Sequence, residues 1–335
     1  MTALPRFPAA VTLDQIRAAA ARIAPHTRRT PMEQDAHLSA LLGVPVWLKL
    51  EHLQATGAFK LRGATNALLS LPPEALARGV VTASTGNHGR ALAHAARAQG
   101  VRAVVCLSRL VPANKIAAIR ELGAEVRIVG SSQDQAMLEV ARAVAEEGLA
   151  EVPPFDDPAV IAGQGTLGLE IAQDLPEVAT VLVPLSGGGL AAGVAAAVKG
   201  LHPNLRVIGL TMQRGAAMAA SLAAGHPVEV AEEASLADSL GGGIGLQNRL
   251  TFGMCRALLD DVVLLTEAEI AAGMRHAYRH SRAVIEGGAA VGIGAILAGK
   301  VTATGPVAVI LSGGNVDMDL HLRVMNGADD VGPRA

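Results

Sequence analysis

The stretch TVLVPLSGGGLAAGVAAAVK, residues 180–199, decides the fold class. Apolar, β-branched residues run from Thr180 to Leu185, a glycine cluster follows, and an alanine-rich segment, Ala191–Lys199, continues from it. This reads as strand, tight turn and helix. A strand without polar alternation is expected in a parallel sheet covered on both faces. The turn Ser186-Gly187-Gly188-Gly189-Leu190 presents backbone N–H groups, unobstructed by side chains, at the positive end of the helix. Such a turn is an anion cradle.

Outward from it, the same unit recurs. Candidate strands are Val46–Leu50, Gly79–Ala83, Arg102–Leu107, Glu125–Val129, Arg206–Leu210, Val262–Leu265 and Val307–Leu311, with alanine-rich helical segments between most of them. The alternation predicts an α/β protein with mainly parallel sheets. Residues 69–149 form a self-contained series of such units, so a small lobe is expected to be inserted in a large one built from 1–68 and 150–335. The cleft between them should lie at the carboxyl ends of strands. Thr12, with Gln15 three residues on, predicts a capping box opening the first helix.

Two further glycine loops point to that cleft. Gly79–Ala83 runs into Ser84-Thr85-Gly86-Asn87-His88-Gly89 and then a helix, and Val307–Leu311 runs into Ser312-Gly313-Gly314-Asn315. Two anion cradles suit one ligand with two anionic groups, or two anionic ligands. Lys60, in Gly57-Ala58-Phe59-Lys60-Leu61-Arg62-Gly63-Ala64, adds a nucleophile. Between Phe59 and Leu61 its amine should be partly desolvated, which lowers its pKa and favours the neutral form.

Composition removes other classes. Half of the 335 residues are hydrophobic, 17% are charged and the net charge is −2. No basic run argues for a nucleic-acid partner. The start MTALPRFPAAVTLDQI lacks the pattern of a signal peptide, and no apolar stretch is long enough to span a membrane. Cys106 and Cys255 are expected to be buried apolar residues of a cytoplasmic protein.

The segments GAFKLRGATNAL (57–68), STGNHGRAL (84–92), FDDPAVIAGQGT (155–166), SGGGLAAG (186–193) and LSGGNVD (311–317) resemble, in order and spacing, threonine dehydratase and serine racemase. That resemblance implies the fold-type II architecture of pyridoxal-phosphate enzymes, similar to tryptophan synthase β, and pyridoxal 5′-phosphate as cofactor. It implies that Lys60 binds the cofactor covalently, with Phe59 on the pyridine ring and Asn87 on the ring hydroxyl. By the same resemblance Gly187, Gly188, Gly189 and Leu190 hold the phosphate and Ser312 meets the ring nitrogen. Ser84, Thr85, Gly86 and His88 belong to the loop that receives the substrate carboxylate. The implied reaction is α,β-elimination from a β-hydroxy-α-amino acid to a 2-oxo acid and ammonia, in a cytoplasmic homodimer. STGNHGRAL, Gln213-Arg214-Gly215-Ala216-Ala217-Met218 and LADSLGGGIGLQNR (236–249) are most similar to the dehydratase-like enzyme of hydroxyectoine utilisation.

Departures from the family pattern shape further expectations. Thr211, Gly215 and Ala217 stand where some relatives hold a divalent cation, so no metal is expected there. Thr85 stands where serine racemase uses a serine, which puts racemisation second to elimination. No appended regulatory domain is expected after the third glycine loop.

Glu286 is read either as a pocket residue or as a helix cap. Asp238 is read as structural and Arg62 as an inter-lobe ion-pair partner. His276 and His280 show metal-compatible spacing without an evident third ligand, so a solvated face is expected. An amino-acid racemase of the same family is the alternative function. From another class, an NADP-dependent oxidoreductase is considered, because Gly187–Ala192 fits a relaxed dinucleotide pattern. It lacks the acidic residue that would grip the ribose.

Overall fold

A computed structural model describes residues 11–84, 86–109, 111, 113–131 and 133–332. Strands run in chain order as β1 (Met32–Gln34), β2 (Val46–Lys49), β3 (Val80–Ala83), β4 (Ala103–Leu107), β5 (Glu125–Ile128), β6 (Ala150–Glu151), β7 (Thr180–Pro184), β8 (Arg206–Met212), β9 (Asp261–Leu265) and β10 (Val307–Ile310). They form a six-stranded sheet, β1-β2-β10-β7-β8-β9, and a four-stranded sheet, β5-β4-β3-β6. Every pairing is parallel except β1 with β2.

All five residues of β7 are buried, as a central strand covered on both faces requires. Val181 and Val183 pack with Leu190, Ala191 and Val194, whereas Leu182 packs with Ile293 and Val309. Neighbouring side chains thus feed two cores on opposite faces of one sheet. In the smaller sheet Val80, Val105 and Leu107 join one cluster, while Val81, Val104 and Cys106 join another. Both cysteines are buried and unpaired, and burial pushes Cys255 up to about 12 and Cys106 up to about 11.

Helix Lys60–Leu69 links the two sheets. Its Leu61, Ala64 and Leu68 share a core with Leu92, Val105 and Val160. It crosses helix Pro158–Asp174 so closely that a Cβ on Gly163 would lie 2.6 Å from the Arg62 carbonyl oxygen. Only glycine fits there.

Expected and observed strands agree to within two residues. Two strands were not expected. The three residues of β1, Met-Glu-Gln, form an exposed antiparallel edge without an apolar run, and β6 has only two residues. The Thr12–Gln15 capping box is present in both directions.

Arg62 departs from its expected inter-lobe role. Its guanidinium pairs with Glu51 (2.8 Å) and Glu170 (2.6 Å), and Thr166 adds a hydrogen bond at 3.2 Å. None of these partners lies in 69–149. Arg62 and Glu51 are 1% and 0% exposed, so the pair is a buried strut that ties the first turn of helix Lys60–Leu69 to the segment Glu51–Leu53.

Candidate active site

Backbone pairing places the lysine segment beside the third glycine loop. Ala58 bridges Gly313, the Phe59 N–H donates to the Ser312 carbonyl (3.0 Å), and the Gly314 N–H donates to the Gly57 carbonyl (2.8 Å). The Glu286 N–H donates to the Gly313 carbonyl at 3.1 Å. Lys60 sits at the first turn of its helix, with its Nζ 5.3 Å from the centre of the Phe59 ring. Nζ donates to the Pro154 carbonyl at 2.7 Å. Burial lowers the amine to about 8, although Glu286 pulls the other way. A neutral, nucleophilic lysine is therefore accessible near neutral pH.

Pro154 also connects Lys60 to the phosphate-type loop, because its neighbour Phe155 packs under that loop. A Cβ on Gly187 would lie 2.3 Å from the Phe155 ring. Gly188 is left-handed (φ 88°), and helix Gly189–Leu201 opens from it with no side-chain cap. The first N–H groups of a helix have no intrahelical partner, so this uncapped start can hold a phosphate. Gly187, Gly188, Gly189 and Leu190 are all buried at the base of the turn. A nucleophilic amine and an open anion cradle, joined through Pro154–Phe155, fit pyridoxal phosphate.

The second glycine loop closes the site. Asn87 opens helix Asn87–Ala98, and its Nδ2 lies 2.9 and 3.1 Å from the two carboxylate oxygens of Glu286. Its Oδ1 accepts from Asn315 Nδ2 (2.7 Å), while Arg90 donates to Asn315 Oδ1 (2.9 Å). The amide orientation of Asn87 is set by these partners. Glu286 precedes helix Gly287–Leu297 without capping it, so of its two expected readings the pocket one holds. Burial and the nearby Asp238 raise its pKa, against the Asn87 and Ser239 hydrogen bonds.

Ser84 and His88 flank the same loop. Ser84 Oγ accepts from the N–H groups of Gly86 (3.3 Å) and Gly89 (3.0 Å), which shapes the turn. His88 Nε2 donates to the Val152 carbonyl (2.9 Å), and burial together with Lys60 pushes its pKa down to about 3. The ring is neutral, so it offers a carboxylate no positive charge. Its buried Nδ1 has no hydrogen-bond partner among the described residues. Thr85 lies outside the described residues. Ser312 is 3% exposed at the loop's first position.

Sequence reasoning did not single out Pro154, Asn315 or Arg90 for this site. Phe155 and Asn315 fell inside quoted motifs, but without a role. The residues read as structural behave accordingly. Asp238 pairs with Lys115 at 2.6 Å, tying the short turn Asp238–Leu240 to the helix after β4. At the position of the relatives' cation site, the Thr211 hydroxyl faces Met212 Sδ at 3.6 Å. His276 does not fit the solvated-face reading: it is 5% exposed, and His37 lies against it and His280.

Residues 23–313 match the family described as pyridoxal-phosphate dependent enzyme. The chain belongs to this family. The match overturns the oxidoreductase alternative, and pyridoxal phosphate is the cofactor.

A Sinorhizobium fredii protein that bears the provisional name threonine dehydratase is 64% identical, over 95% of this chain and 96% of its own. The L-threonine ammonia-lyase of Geobacter sulfurreducens is 42% identical, over 89% of this chain and 74% of its own. Among solved structures, maize serine racemase superposes with a TM-score of 0.89 at 34% identity, covering 95% of this chain and 97% of its own. The fold is thus that of fold-type II pyridoxal-phosphate enzymes.

No helix among the described residues is long and apolar enough to cross a membrane.

Proposed function

We propose that this pyridoxal-phosphate-dependent lyase converts L-threonine or L-serine to a 2-oxo acid and ammonia. The observation that carries the reading is the Lys60 amine, held by the Pro154 carbonyl next to the Phe155 that supports the Gly187–Leu190 cradle. The names of the relatives support the same substrate class.

Bound pyridoxal phosphate supplies a conjugated electron sink for negative charge developing at the substrate α-carbon. The protein residues do the rest. Gly187, Gly188, Gly189 and Leu190 hold the phosphate through N–H groups, Phe59 covers the ring, and Asn87 addresses the ring hydroxyl. Ser84, Thr85, Gly86 and His88 form the loop for the substrate carboxylate. Once substrate amine has replaced it, Lys60 takes the α-proton onto Nζ as a neutral general base.

The hydroxyl of Ser312 cannot protonate the ring nitrogen as an aspartic acid would. The sink is therefore weak, which favours prompt departure of a β-hydroxyl over reprotonation on the opposite face. Racemisation, suggested by the likeness to serine racemase, is the second reading. Holoenzyme incubated with L-threonine and with L-serine should release ammonia faster than D-amino acid by chiral chromatography. D-product outrunning ammonia would assign the racemase reading.

Several finer statements belong to the same proposal. Residues 69–149 form the small lobe, and the chain works as a cytoplasmic homodimer. The resemblance of the loop motifs supports a role in hydroxyectoine utilisation, which predicts that deleting its gene abolishes growth on hydroxyectoine.

A further inference from the structure

Outside the site just described, three imidazoles converge where helix Ala36–Leu42 meets the end of helix Glu267–His280. His276 and His280, one turn apart, lie on the second helix, and His37 reaches them from the first. Ring centroids are 4.5 Å apart for His276–His280, 4.5 Å for His37–His280 and 5.2 Å for His37–His276. One ring nitrogen from each falls within 4.8 Å of the others.

We propose that His37, His276 and His280 bind a borderline first-row divalent cation of the Zn²⁺ class, through three imidazoles and one open position.

The buried member is oriented as a metal ligand would be. His276 Nε2 lies 2.9 Å from Asp35 Oδ2, and Asp35 in turn accepts from Ser281 Oγ (3.1 Å) and the Leu38 N–H (2.9 Å). A carboxylate only accepts, so Nε2 carries the proton and Nδ1 keeps its lone pair. A carboxylate behind a ligating histidine fixes the tautomer and raises its basicity.

Tetrahedral coordination at about 2.0–2.1 Å brings ligand nitrogens to roughly 3.3 Å. The present spacing, within 4.8 Å, is wider than this, and the two exposed rings, His37 and His280, would move towards the buried His276 on binding. Imidazole donors select Zn²⁺, Ni²⁺, Cu²⁺ or Co²⁺ over Mg²⁺ and Ca²⁺, which demand oxygen ligands. An ion here would clamp the helix carrying His37 to the start of Ser281–Ile285, the segment leading to Glu286. It is separate from the Thr211–Ala217 position of the relatives' cation site.

The test is isothermal titration of tag-free, cofactor-loaded full chain with Zn²⁺ in metal-free buffer, with thermal melts at each Zn²⁺ concentration. One ion per chain should bind with a Kd of about 10 μM or tighter, unaffected by excess Mg²⁺, and Tm should rise with Zn²⁺. His37→Ala and His280→Gln, both at exposed positions, should each weaken binding by at least about tenfold while keeping the zinc-free Tm and the ammonia-releasing activity. Absence of saturable binding would overturn the proposal. So would unchanged affinity in the double variant, or equal competition by Mg²⁺.

Discussion

At the scale of single residues, the site depends on groups held away from their ordinary state. Lys60 is lowered from 10.5 to about 8, mainly by burial. In the cofactor-free chain this has a definite sign. Between those two values the unfolded chain binds a proton that the folded one does not, so stability rises with pH across the window. Below about 8 the buried ammonium destabilises by its full amount, on the order of 3 kcal/mol. Melts of the cofactor-free chain from pH 7.5 to 10 should therefore show stability rising relative to Lys60→Met. A parallel pair of curves would contradict the assigned burial.

The lysine segment and the glycine turn after β7 could be singled out because each is a local pattern in the sequence, and the structure places Lys60 at the first turn of a helix and the turn between β7 and its helix. The roles of Glu286, Asn315 and Pro154 were not. Each acts on a partner distant in the chain, as in Asn87–Glu286, Asn87–Asn315 and Lys60–Pro154. The third histidine was hidden for the same reason, since His37 lies far in sequence from His276 and His280.

At the scale of elements, two contacts make the cradle and the lysine helix dependent on what lies beneath them. A methyl on Gly187 would lie 2.3 Å from the half-buried Phe155 ring, so the ring or the loop would have to shift. Overpacking of this kind costs about 1–3 kcal/mol, here at the loop proposed to hold the phosphate. Gly187→Ala should raise the dissociation constant for pyridoxal phosphate at least about tenfold, read by cofactor titration of the freshly stripped protein. Retained affinity would show that the loop adapts.

Arg62, in the first turn of the Lys60–Leu69 helix, forms a fully hydrogen-bonded ion pair with Glu51 and Glu170. Removing one partner strands buried charge, so Arg62→Ala should lose about 3–5 kcal/mol in urea unfolding. Burial also explains why its partners were misread. The sequence marks a charged residue but not which of two packed lobes will supply its counter-ion. Strand positions were readable where β-branched runs are buried, as in β7. They were unreadable at β1 and β6, where edge placement removes any need for an apolar pattern.

At the scale of the whole molecule, helix Lys60–Leu69 packs in one core with the small sheet, the six-stranded sheet has its own cores on its two faces, and Lys60 stands at the start of that helix. The alternation of strands and helices was enough to predict this class, because a parallel sheet requires a crossover between its strands. Polar ties among the described residues that join 69–149 to the rest of the chain include Asn87–Glu286, Arg90–Asn315 and Lys115–Asp238, and in the last pair the carboxylate is 57% exposed. A solvated pair contributes about 0–1 kcal/mol. Asp238→Asn should leave the unfolding midpoint nearly unchanged, and a large drop would mean that this surface pair carries more stability than its exposure allows.

All three scales converge on a covalent attachment at Lys60. Borohydride reduction of the cofactor-loaded protein, followed by proteolysis and mass mapping, tests it directly. The account predicts a pyridoxyl group on Lys60 and on no other lysine. A label on Lys49, Lys115, Lys199 or Lys300, or no label on a protein that retains its cofactor, would contradict it.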